Sequence, residues 1–489
     1  MEPVLTVSAP AIVWFREDLR LADNPALAAA VSTGRPLVLL YIHEEVSSGF
    51  RPRGGASKWW LGKSLAAHIH QIEAAGGCLT IRSGETAKVI SDVIAETGGV
   101  SVFWNRRYGG PERAMDTELK TNLKQGSIEV STFNGRLLTE PWEIKTGSGT
   151  PYRVFTPYWK AMRSTYQAPS LLPTPKTLTG PEVASESLES LGLQPVAPDW
   201  SGGLKSTWDP GEAGATERLW KFLEGPINTY SDARNRPDKE AGTSRLSPHL
   251  HFGEISPTQI WRAVQTGISA GKFDESNAMT FLSEVVWREF SYVLLYYNPD
   301  LATENYNSDF NLMPWRSDSA ALQAWQEGRT GYPIVDAGMR ELWHTGYMHN
   351  RVRMIVASFL TKHLLLPWQA GEDWFWDTLV DADPAANAAS WQWTAGSGAD
   401  AAPYFRVFNP ITQGQKFDPN GIYVRRWCPE LSGLPDKILH TPWEANSATL
   451  QRADITLGTT YPKPIVEHPT ARQRALDAYD RLKEKRNAA

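Results

Sequence analysis

Cysteine is scarce in this sequence of 489 residues, which contains only Cys78 and Cys428. Two thiols cannot build a disulfide framework, and they cannot supply the four thiolates of an iron–sulfur cluster. No apolar run approaches the length that spans a membrane, and the N-terminus, MEPVLTVSAP, lacks the basic-then-apolar pattern of a signal peptide. We therefore expect a protein of the reducing cytoplasm that makes no contact with a membrane.

Positive charge is not in excess either, because 49 Lys and Arg face 54 Asp and Glu, for a net charge of -5. This balance argues against a generally basic surface for nucleic acid, although it permits a local basic groove. The length favours two domains, and 41% hydrophobic and 21% charged residues are typical of globular chains. The unusual feature is the presence of 21 Trp.

The first 135 residues alternate between short β-branched runs and longer helical patterns. The runs are AIVWF (11–15), PLVLLYI (36–42), CLTIRS (78–83), VSVFW (100–104) and IEVSTF (128–133). This alternation predicts an α/β domain over 1–135 with a doubly wound, five-stranded parallel sheet. Ligands of such sheets bind at the carboxyl ends of the strands. Three polar loops follow strands there: FREDLR (15–20), HEE (43–45) and NRRYG (105–109).

The rest of the chain divides into two regions. Residues 136–210 lose periodicity, and their Pro, Ser and Gly content predicts an interdomain linker. From 211 to 489, strand signals almost vanish and apolar residues recur with a period of 3.6, which predicts a large all-helical domain. His249 and His251 have no third and fourth ligand clustered with them, so we expect no metal site.

A Trp-rich stretch, 367–393, carries the strongest chemical signal. It contains five Trp, with Asp381 and Asp383 near its centre and Asn387 four residues before Trp391. Indole packs well against flat conjugated rings. Indoles that alternate with acids and an amide suggest the wall of a site for a flat, redox-active cofactor with one polar edge.

Two further segments combine residue types that suit chemistry. Residues 242–256 offer hydroxyls and backbone N–H groups to an anionic diphosphate, or they form a plain capping cluster. In 281–290, Glu284 and Trp287 are helical neighbours. The alternative there is a surface pair of Glu284 with Arg288 beside a core Trp.

Another predicted helix places Asn350, Arg353 and Met354 on one face. An amide, a guanidinium and a thioether together are poor choices for an apolar core. A buried Arg353 needs a carboxylate partner, and Asp381 or Asp383 is the obvious candidate. An ion pair alone would explain the Arg but not the Asn and the Met.

Together these motifs resemble the photolyase/cryptochrome flavoprotein family, from about residue 11 to about residue 440. The resemblance is carried by WFREDLRLADNPAL, GTSRLSPHLHFGEIS, FLSEVVWREF, GYPIVDAGMRELWHTGYMHNRVRMIVASFL and DADPAANAASWQWTAGSGADAAPYFRVFNPITQGQKFD. PWQAGEDWFWDTLVDAD is similar to plant cryptochromes, whereas ASWQWTAGSGADAAPYFRVFNP is similar to microbial cyclobutane-dimer photolyases. This mixture resembles the class III photolyases, the bacterial group closest to plant cryptochromes.

The resemblance implies FAD in the helical domain. Arg353 and Asp381 match an ion pair beside the flavin ring. Asp383 matches the acid at the polar edge of the ring, and Asn387 matches the residue that faces flavin N5. The other implied cofactor contacts are Tyr230, Thr243, Ser244, Leu246, Ser247, Phe281, Glu284, Arg288 and Asn350.

The resemblance also implies an electron relay of three indoles, Trp391, Trp368 and Trp315, between the photoexcited flavin and the surface. Indole can be oxidised and re-reduced, so closely spaced rings let an electron hop in short steps. Trp374 and Trp376 have no standard role, and they are either packing residues or a side branch of the relay.

The implied function is that of a cyclobutane pyrimidine dimer photolyase, in which photoexcited reduced FAD donates an electron to the dimer, the ring splits and the electron returns. The dimer stacks and pairs weakly, so flipping it out of DNA costs little. The implied catalytic residues are Glu284, Trp287, Asn350, Met354, Asn387 and Trp393, and Trp287 and Trp393 also contact DNA. Arg234, Arg351 and Arg406 would grip the phosphates. We expect a monomer that acts on double-stranded or single-stranded DNA.

A blue-light sensor of the cryptochrome type, without repair activity, is the alternative. Plant cryptochromes place Asp opposite flavin N5 and Tyr at the second aromatic position of the WQ-aromatic motif, where this sequence has Asn387 and Trp393. Photolyases of the (6-4) type use His in the region where Asn350 and Met354 stand here. These differences favour dimer repair, for which Glu284 must be protonated or share a proton with the dimer.

The α/β domain resembles the light-harvesting domain of the family. The best-known folate-binding pattern, an Asn-Glu pair and a Cys-Lys pair, is incomplete because Pro111 precedes Glu112. Ala302 and Thr303 stand at the second pair. The alternative is a deeper site at the strand ends, near Phe15, Arg16, Glu17, Lys58, Trp59 and Arg106. The resemblance favours 5,10-methenyltetrahydrofolate there, with a deazaflavin or a second flavin as alternatives.

Overall fold

The computed structural model describes residues 9–44 and 50–488. The chain forms two compact units, each discontinuous in sequence. The first unit runs to Pro151 and includes Tyr158–Leu223 and Arg245–Phe273. The second comprises Tyr152–Pro157, Glu224–Ser244 and the chain from Asp274 onward. The boundaries suggested by the sequence, at 135 and 210, stay predictions.

The elements are numbered in chain order. The five strands are β1 (Ala11–Phe15), β2 (Leu37–His43), β3 (Leu79–Ser83), β4 (Ser101–Asn105) and β5 (Glu129–Phe133). The first ten helices are α1 (Pro25–Ser32), α2 (Gly55–Ala74), α3 (Thr86–Thr97), α4 (Gly110–Gln125), α5 (Phe155–Thr165), α6 (Gly202–Thr207), α7 (Glu212–Leu223), α8 (Tyr230–Ala233), α9 (Ser247–His251) and α10 (Pro257–Ser269). The remaining helices are α11 (Glu275–Tyr297), α12 (Ser319–Gln326), α13 (Pro333–Thr345), α14 (Asn350–Ser358), α15 (Trp368–Thr378), α16 (Ala386–Ala395), α17 (Pro410–Phe417), α18 (Ile422–Trp427), α19 (Asp436–Leu439), α20 (Ser447–Arg452) and α21 (His468–Ala488).

The sheet of the first unit has the order β3-β2-β1-β4-β5, and every neighbouring pair is parallel. β1 and β2 are buried along their whole length, as expected for parallel strands with helices on both faces. Trp14 and Trp104 meet edge-on with ring centroids 5.7 Å apart, in a core that also contains Ile90 and Leu119. The predicted fold class is therefore confirmed for this unit.

Charged side chains are paired with one another where β1 and β4 end. Arg16 Nη1 lies 2.7 Å from Asp116 Oδ1. Arg107 Nη1 lies 2.5 Å from Glu44 Oε2, and its Nη2 lies 3.5 Å from Asp116. Asp116 therefore contacts both guanidinium groups and Glu44 contacts that of Arg107, and these pairs offset the cost of burying the charges. Glu45, the last residue of the predicted 43–45 loop, lies outside the described residues.

The second unit is helical, as predicted, and its core joins two segments that carry chemical signals. α14 begins after His349, whose side chain accepts a hydrogen bond from Arg351 N at 3.2 Å. A π-helical turn, Phe359–His363, extends α14. Trp368 of α15 and Trp391 of α16 belong to the same buried cluster as the apolar face of α14. The core therefore brings the Trp-rich stretch onto the helix that carries Arg353.

Across the described residues, no helix is long and apolar enough to cross a membrane. The same ranges contain no group of three or more His, Cys, Asp or Glu placed to hold a metal ion. His249 Nδ1 contacts Glu254, and Trp60 Nε1 donates to the same carboxylate at 2.9 Å.

Asp336 anchors the first turns of α13. It is fully buried and accepts hydrogen bonds from Thr330 N at 2.7 Å, Thr330 Oγ1 at 2.6 Å, Gly331 N at 3.0 Å and Tyr461 OH at 2.7 Å. Each donor is buried with the acid. Removal of the carboxylate would leave these donors without an acceptor, which costs about 1–3 kcal/mol for each group.

We expect Asp336→Ala to lower the free energy of unfolding by at least about 3 kcal/mol, because several buried donors lose their acceptor at once. Urea denaturation followed by circular dichroism measures the change. The matched control is Asp480→Ala, which removes an exposed carboxylate that is paired with Lys483 at 2.6 Å. Similar stability losses in the two variants would contradict this role of Asp336.

Candidate functional site

Arg353 on α14 forms an ion pair with Asp381. Its Nη2 lies 3.0 Å and 2.9 Å from the two carboxylate oxygens, and its Nε donates to Met348 O at 2.7 Å. Burial is the largest influence and works against the charge, but Asp381, Tyr347 and Glu341 together outweigh it, so the pKa of Arg353 is raised above its ordinary value. Of the two carboxylates that the sequence offered, Asp381 is the partner.

Asp383 is held by three donors at the start of α16. Tyr292 OH donates to its Oδ2 at 2.7 Å, while Ala385 N and Ala386 N each donate to its Oδ1 at 2.9 Å. The side chain of a residue just before a helix often accepts such backbone hydrogen bonds. The contacts fix the position of the acid relative to the next turn, which carries Asn387.

Asn387 has an unambiguous amide orientation. Its Nδ2 lies 3.1 Å from Glu372 O and 2.8 Å from Glu372 Oε1, and both of these atoms can only accept from an amide. Oδ1 therefore points away from Glu372. Because α14 packs against α16, the site combines a guanidinium, a fixed acid and an oriented amide on neighbouring elements. This combination suits the polar edge of a flat ring.

The residues expected around the rest of the cofactor are divided between the two units. In the second unit, Tyr230 meets Phe281 edge-on with ring centroids 5.4 Å apart, and Thr243 and Ser244 are half-buried. In the first unit, Leu246 is buried, and Ser247 is exposed as the first residue of α9. α9 therefore begins within the segment 242–256 that the sequence marks as a candidate diphosphate site.

Glu284 pairs with Arg234, with 2.7 Å between Oε1 and Nη1. About a quarter of each side chain is exposed, at 26% and 25%. The alternative reading of the sequence, a pair of Glu284 with Arg288, is wrong as the main contact, because Arg288 lies 3.4 Å from Glu289 and over the ring of Tyr292. The partner follows α8, so no i, i+4 spacing could reveal it.

One loop supports both Trp287 and Trp393. Trp287 stacks on Phe155, with ring centroids 3.8 Å apart and planes 12° apart. Phe155 N donates to Asp400 Oδ2 at 3.1 Å. Two residues later, Ala402 N donates to Trp393 O at 3.1 Å. The loop that contains Asp400 and Ala402 therefore links the backbone of Trp393 to the aromatic ring that backs Trp287.

The exposed face of α14 carries the other expected contacts. Asn350 is exposed and Met354 is half-buried. Arg351 is turned towards Asn235 Oδ1, which accepts from Nε at 3.2 Å and from Nη2 at 2.6 Å. Arg406 is exposed in the loop before α17. These side chains are open to a ligand that approaches from solvent.

The three expected relay indoles differ in burial. Trp391 is 2% exposed and meets Phe375 edge-on at 5.0 Å between ring centroids. Trp368 is fully buried, and its Nε1 donates to Asn305 Oδ1 at 2.8 Å. Trp315 is half-buried in a separate cluster. Trp315, the member expected nearest the surface, is therefore the least buried of the three.

Trp374 and Trp376 lie on α15 and are both half-buried. Trp374 stacks on Trp343, with ring centroids 5.8 Å apart and planes 4° apart. Trp343 is 67% exposed, so this stack reaches the surface. Packing of Trp374 is therefore established, while the role of a side branch stays a prediction.

The six residues expected near an antenna enter separate contacts within the first unit. Phe15 is buried edge-on to His68 at 4.7 Å between ring centroids, and Trp59 is also buried. The others contact polar partners or are half-buried: Arg16 with Asp116, Glu17 with Arg53 at 3.1 Å, Arg106 with Thr132 O at 2.6 Å, and half-buried Lys58. A chromophore there would compete with existing ionic contacts.

Comparison with known proteins gives two family matches. Residues 11–177 match the model of DNA photolyase, and residues 281–481 match that of the FAD binding domain of DNA photolyase. The chain is 51% identical to a deoxyribodipyrimidine photo-lyase of Agrobacterium fabrum, over 97% of this chain and 98% of that protein. It is 39% identical to cryptochrome-1 of Arabidopsis thaliana, over 96% of this chain and 70% of that protein.

This chain belongs to the photolyase/cryptochrome family. Its fold is similar to the crystal structure of a bacterial class III photolyase from Agrobacterium tumefaciens, with a TM-score of 0.94, 50% identity, and coverage of 97% of this chain and 98% of that one. The family predicted from the sequence motifs is confirmed. As a member of the photolyase/cryptochrome family, the chain contains an FAD-binding domain.

Four residues of this family member's candidate site were not found by sequence reasoning: Phe155, Tyr292, Glu372 and Asp400. Phe155 lies in an aromatic segment, 149–162, that falls inside the predicted linker 136–210. Glu372 is an acid in the middle of a helical pattern, and its almost complete burial, with 1% of its surface exposed, is the feature that marks it. Spacing along the chain could not place any of them beside their partners.

Gly371 leaves room for Trp391, which yields a test of the relay packing. An added Cβ would overlap Cη2 of the Trp391 ring and would lie 2.5 Å from its Cζ3. Ala is normally about 1 kcal/mol more favourable than Gly inside a helix. We expect the opposite sign here: Gly371→Ala should lower Tm and slow photoreduction of bound flavin, because the indole must shift.

Calorimetry and absorbance changes under blue light measure the two effects. The matched control is Gly202→Ala in α6, where an added Cβ meets nothing within 4 Å. If Gly371→Ala raises Tm as Gly202→Ala does and leaves photoreduction intact, Trp391 does not occupy the position described.

Proposed function

We propose that this protein repairs cyclobutane pyrimidine dimers in DNA by light-driven electron transfer from reduced FAD, as a deoxyribodipyrimidine photo-lyase. The observation that carries the proposal is the support of two aromatic walls, Trp287 and Trp393, by one loop beside the helix that carries Glu284. Family membership and 51% identity to a photo-lyase over nearly the whole chain support it.

The polar residues of the second unit fit a flavin. Arg353 is 23% exposed even though its partner Asp381 is almost completely buried, so the guanidinium has surface to offer a ring. Asn387 would hold the ring edge by accepting a hydrogen bond at Oδ1, because Nδ2 is committed to Glu372. Asp383 would accept from a ring N–H at the polar edge. When bound and reduced, FAD supplies the light absorption and the electron.

The lesion side combines apolar walls with hydrogen-bonding groups. Trp287 and Trp393 would enclose a flipped dimer, which is bulky and poorly stacked in DNA. Glu284 and Asn350 would hydrogen-bond its carbonyl and imide edges, and Met354 would pack against it. The site excludes bulk water once the dimer covers these side chains, which strengthens each polar contact.

Three arginines would position the DNA backbone. Arg234, Arg351 and Arg406 are each partly or fully exposed, and guanidinium groups bind phosphate oxygens in a fork geometry. Such contacts set affinity and register without reading sequence. We propose a monomer that acts on dimers in double-stranded or single-stranded DNA, in the cytoplasm, as the sequence suggests.

Trp391, Trp368 and Trp315 would restore the reduced cofactor after it is oxidised, by carrying electrons from solvent. This activation is separate from repair, since the dimer returns its electron. For light harvesting we propose 5,10-methenyltetrahydrofolate in the first unit, with a deazaflavin or a second flavin as alternatives. The absorption spectrum of protein purified from its own host distinguishes these chromophores.

Repair and activation can be separated by mutation. We expect Glu284→Ala to reduce dimer splitting by the pre-reduced protein at least about tenfold, since a hydrogen bond to a charged group contributes about 1.5–3 kcal/mol. Flavin photoreduction should be unchanged in this variant. Trp368→Phe should slow flavin photoreduction and leave dimer splitting by the pre-reduced protein unchanged. Recovery of thymine absorbance in a dimer-containing oligonucleotide measures repair, and blue-light bleaching of oxidised flavin measures activation.

The same assay on the wild-type protein distinguishes a repair enzyme from a sensor. A sensor without repair activity would photoreduce its flavin but leave the dimer intact in the pre-reduced state. Loss of both activities in both variants would indicate misfolding instead, and flavin content per protein checks for it.

The support of Trp287 provides a further test. Asp400→Ala removes the acceptor for Phe155 N, so the Phe155–Trp287 stack should lose its fixed position. We expect several-fold weaker binding to a dimer-containing oligonucleotide, in line with the roughly 1 kcal/mol of a typical hydrogen bond. Fluorescence anisotropy in the dark measures the dissociation constant.

Asp400→Asn is the matched control because its side chain keeps a carbonyl oxygen that can accept from Phe155 N. It should bind the dimer nearly as well as the unmodified protein. Equal losses in the Ala and Asn variants would mean that charge, rather than the hydrogen bond to Phe155, matters at position 400.

A further inference from the structure

Arg234 and Glu284 have conflicting tasks in the proposed repair reaction. Arg234 is expected to bind a DNA phosphate, and Glu284 is expected to be protonated, or to share a proton, when it meets the dimer. In the structure the two side chains instead neutralise each other across 2.7 Å. An ionised Glu284 paired with Arg234 has no proton to donate, so the complex with DNA must differ from this arrangement.

The surroundings of Glu284 make its charge depend on Arg234. The titratable or charged groups that face it are Arg234 and Arg351, with Tyr230 as a neighbouring phenol, and Ser283 adds a hydroxyl. Burial raises the pKa of Glu284 above its ordinary value, and Arg234 is the largest influence that opposes burial. Arg351 contributes less and is itself turned towards Asn235.

Arg234 is placed to change partners. Its guanidinium lies over the Tyr230 ring at 5.6 Å and a quarter of its side chain is exposed, so it can rotate towards solvent by giving up Glu284 and this ring contact. A DNA phosphate competes well for a guanidinium because it offers two charged oxygens. Covering the site with a dimer then leaves the carboxylate buried without its main cation.

We propose that Arg234 is exchanged from Glu284 to a DNA phosphate when the lesion binds, and that Glu284 takes up a proton from solvent in the same step. The inference rests on the proposed function and adds a dark, proton-linked binding event to it. One proton moves from water or buffer to the carboxylate, and no electron is transferred. Lesion binding therefore prepares the hydrogen-bond donor that the dimer requires.

Because proton binding by Glu284 is coupled to lesion binding, it determines how the affinity for the dimer changes with pH. Glu284 binds a proton more tightly in the complex than in the free protein, so the complex is favoured at low pH. Affinity should fall as pH rises above the pKa of Glu284 in the free protein, by at most about tenfold per pH unit. The affinity should become independent of pH once pH exceeds the pKa of Glu284 in the complex.

Calorimetric titration of the FAD-loaded protein in the dark tests the inference. The probe is an oligonucleotide with one cyclobutane thymine dimer, and the same titration is made in buffers of low and high ionisation enthalpy at neutral pH. The slope of observed enthalpy against buffer enthalpy gives the protons taken up. We expect up to about one proton per dimer, and none with the undamaged oligonucleotide.

Two variants separate proton uptake from simple phosphate binding. Glu284→Gln keeps an amide donor but cannot titrate, so proton uptake and the pH dependence of the dissociation constant should both vanish. Arg234→Gln leaves Glu284 without its cation before DNA arrives, so uptake should fall well below that of the unmodified protein. An Arg234 that only binds phosphate would weaken binding without changing the proton count.

The outcomes for this inference and for repair are distinct. Binding and repair without proton uptake, or equal uptake in Glu284→Gln, would overturn the exchange of Arg234 and leave repair standing. Failure to bind or split the dimer at all would overturn the proposed function itself. Flavin content and photoreduction identify any variant that has misfolded, and Arg234→Lys, which keeps the charge, should retain most of the uptake.

Discussion

The ion pair of Arg353 with Asp381 is the interaction on which the candidate site depends. It joins the first turns of α14 to the loop before α16, and that loop also carries Asp383 and leads into Asn387. The Asp381 carboxylate is almost completely buried, and leaving it without the guanidinium would be unfavourable, so the pair sets the register between these elements. That register also sets the positions of Asp383 and Asn387, because Asp383 accepts hydrogen bonds from the backbone of Ala385 and Ala386, just before Asn387.

The two faces of the helical unit differ in burial and in their expected roles. Towards the core, Trp391 and Trp368 are buried among apolar side chains, where indoles are fixed in place. Towards solvent, Glu284, Trp287, Asn350 and Met354 stay partly exposed because a ligand, rather than the protein, is expected to cover them. The Asp400 loop restrains both aromatic walls, which limits the ordering cost that lesion binding would otherwise incur.

Sequence reasoning predicted the features that depend on residues close together in the chain. Short apolar runs rich in β-branched residues predicted all five strands within one residue, and the central strands β1 and β2 are buried on both faces. The alternation of strands with helices predicted that the sheet is parallel. The need of Arg353 for an acid predicted Asp381 or Asp383 as its partner, and the structure pairs it with Asp381. Contacts between distant segments were out of reach: Phe155 on Trp287 and Arg234 on Glu284 join positions 132 and 50 residues apart, and no periodicity encodes such pairs.

The central claim is that a dimer is split by an electron from light-excited reduced flavin held in this site. The action spectrum of dimer splitting by the chemically reduced protein tests it most directly. We expect splitting to follow the near-ultraviolet and blue absorption of the bound reduced flavin, together with any antenna, and to be absent in the dark. Splitting in the dark, or no splitting at any wavelength that the bound flavin absorbs, would contradict the account.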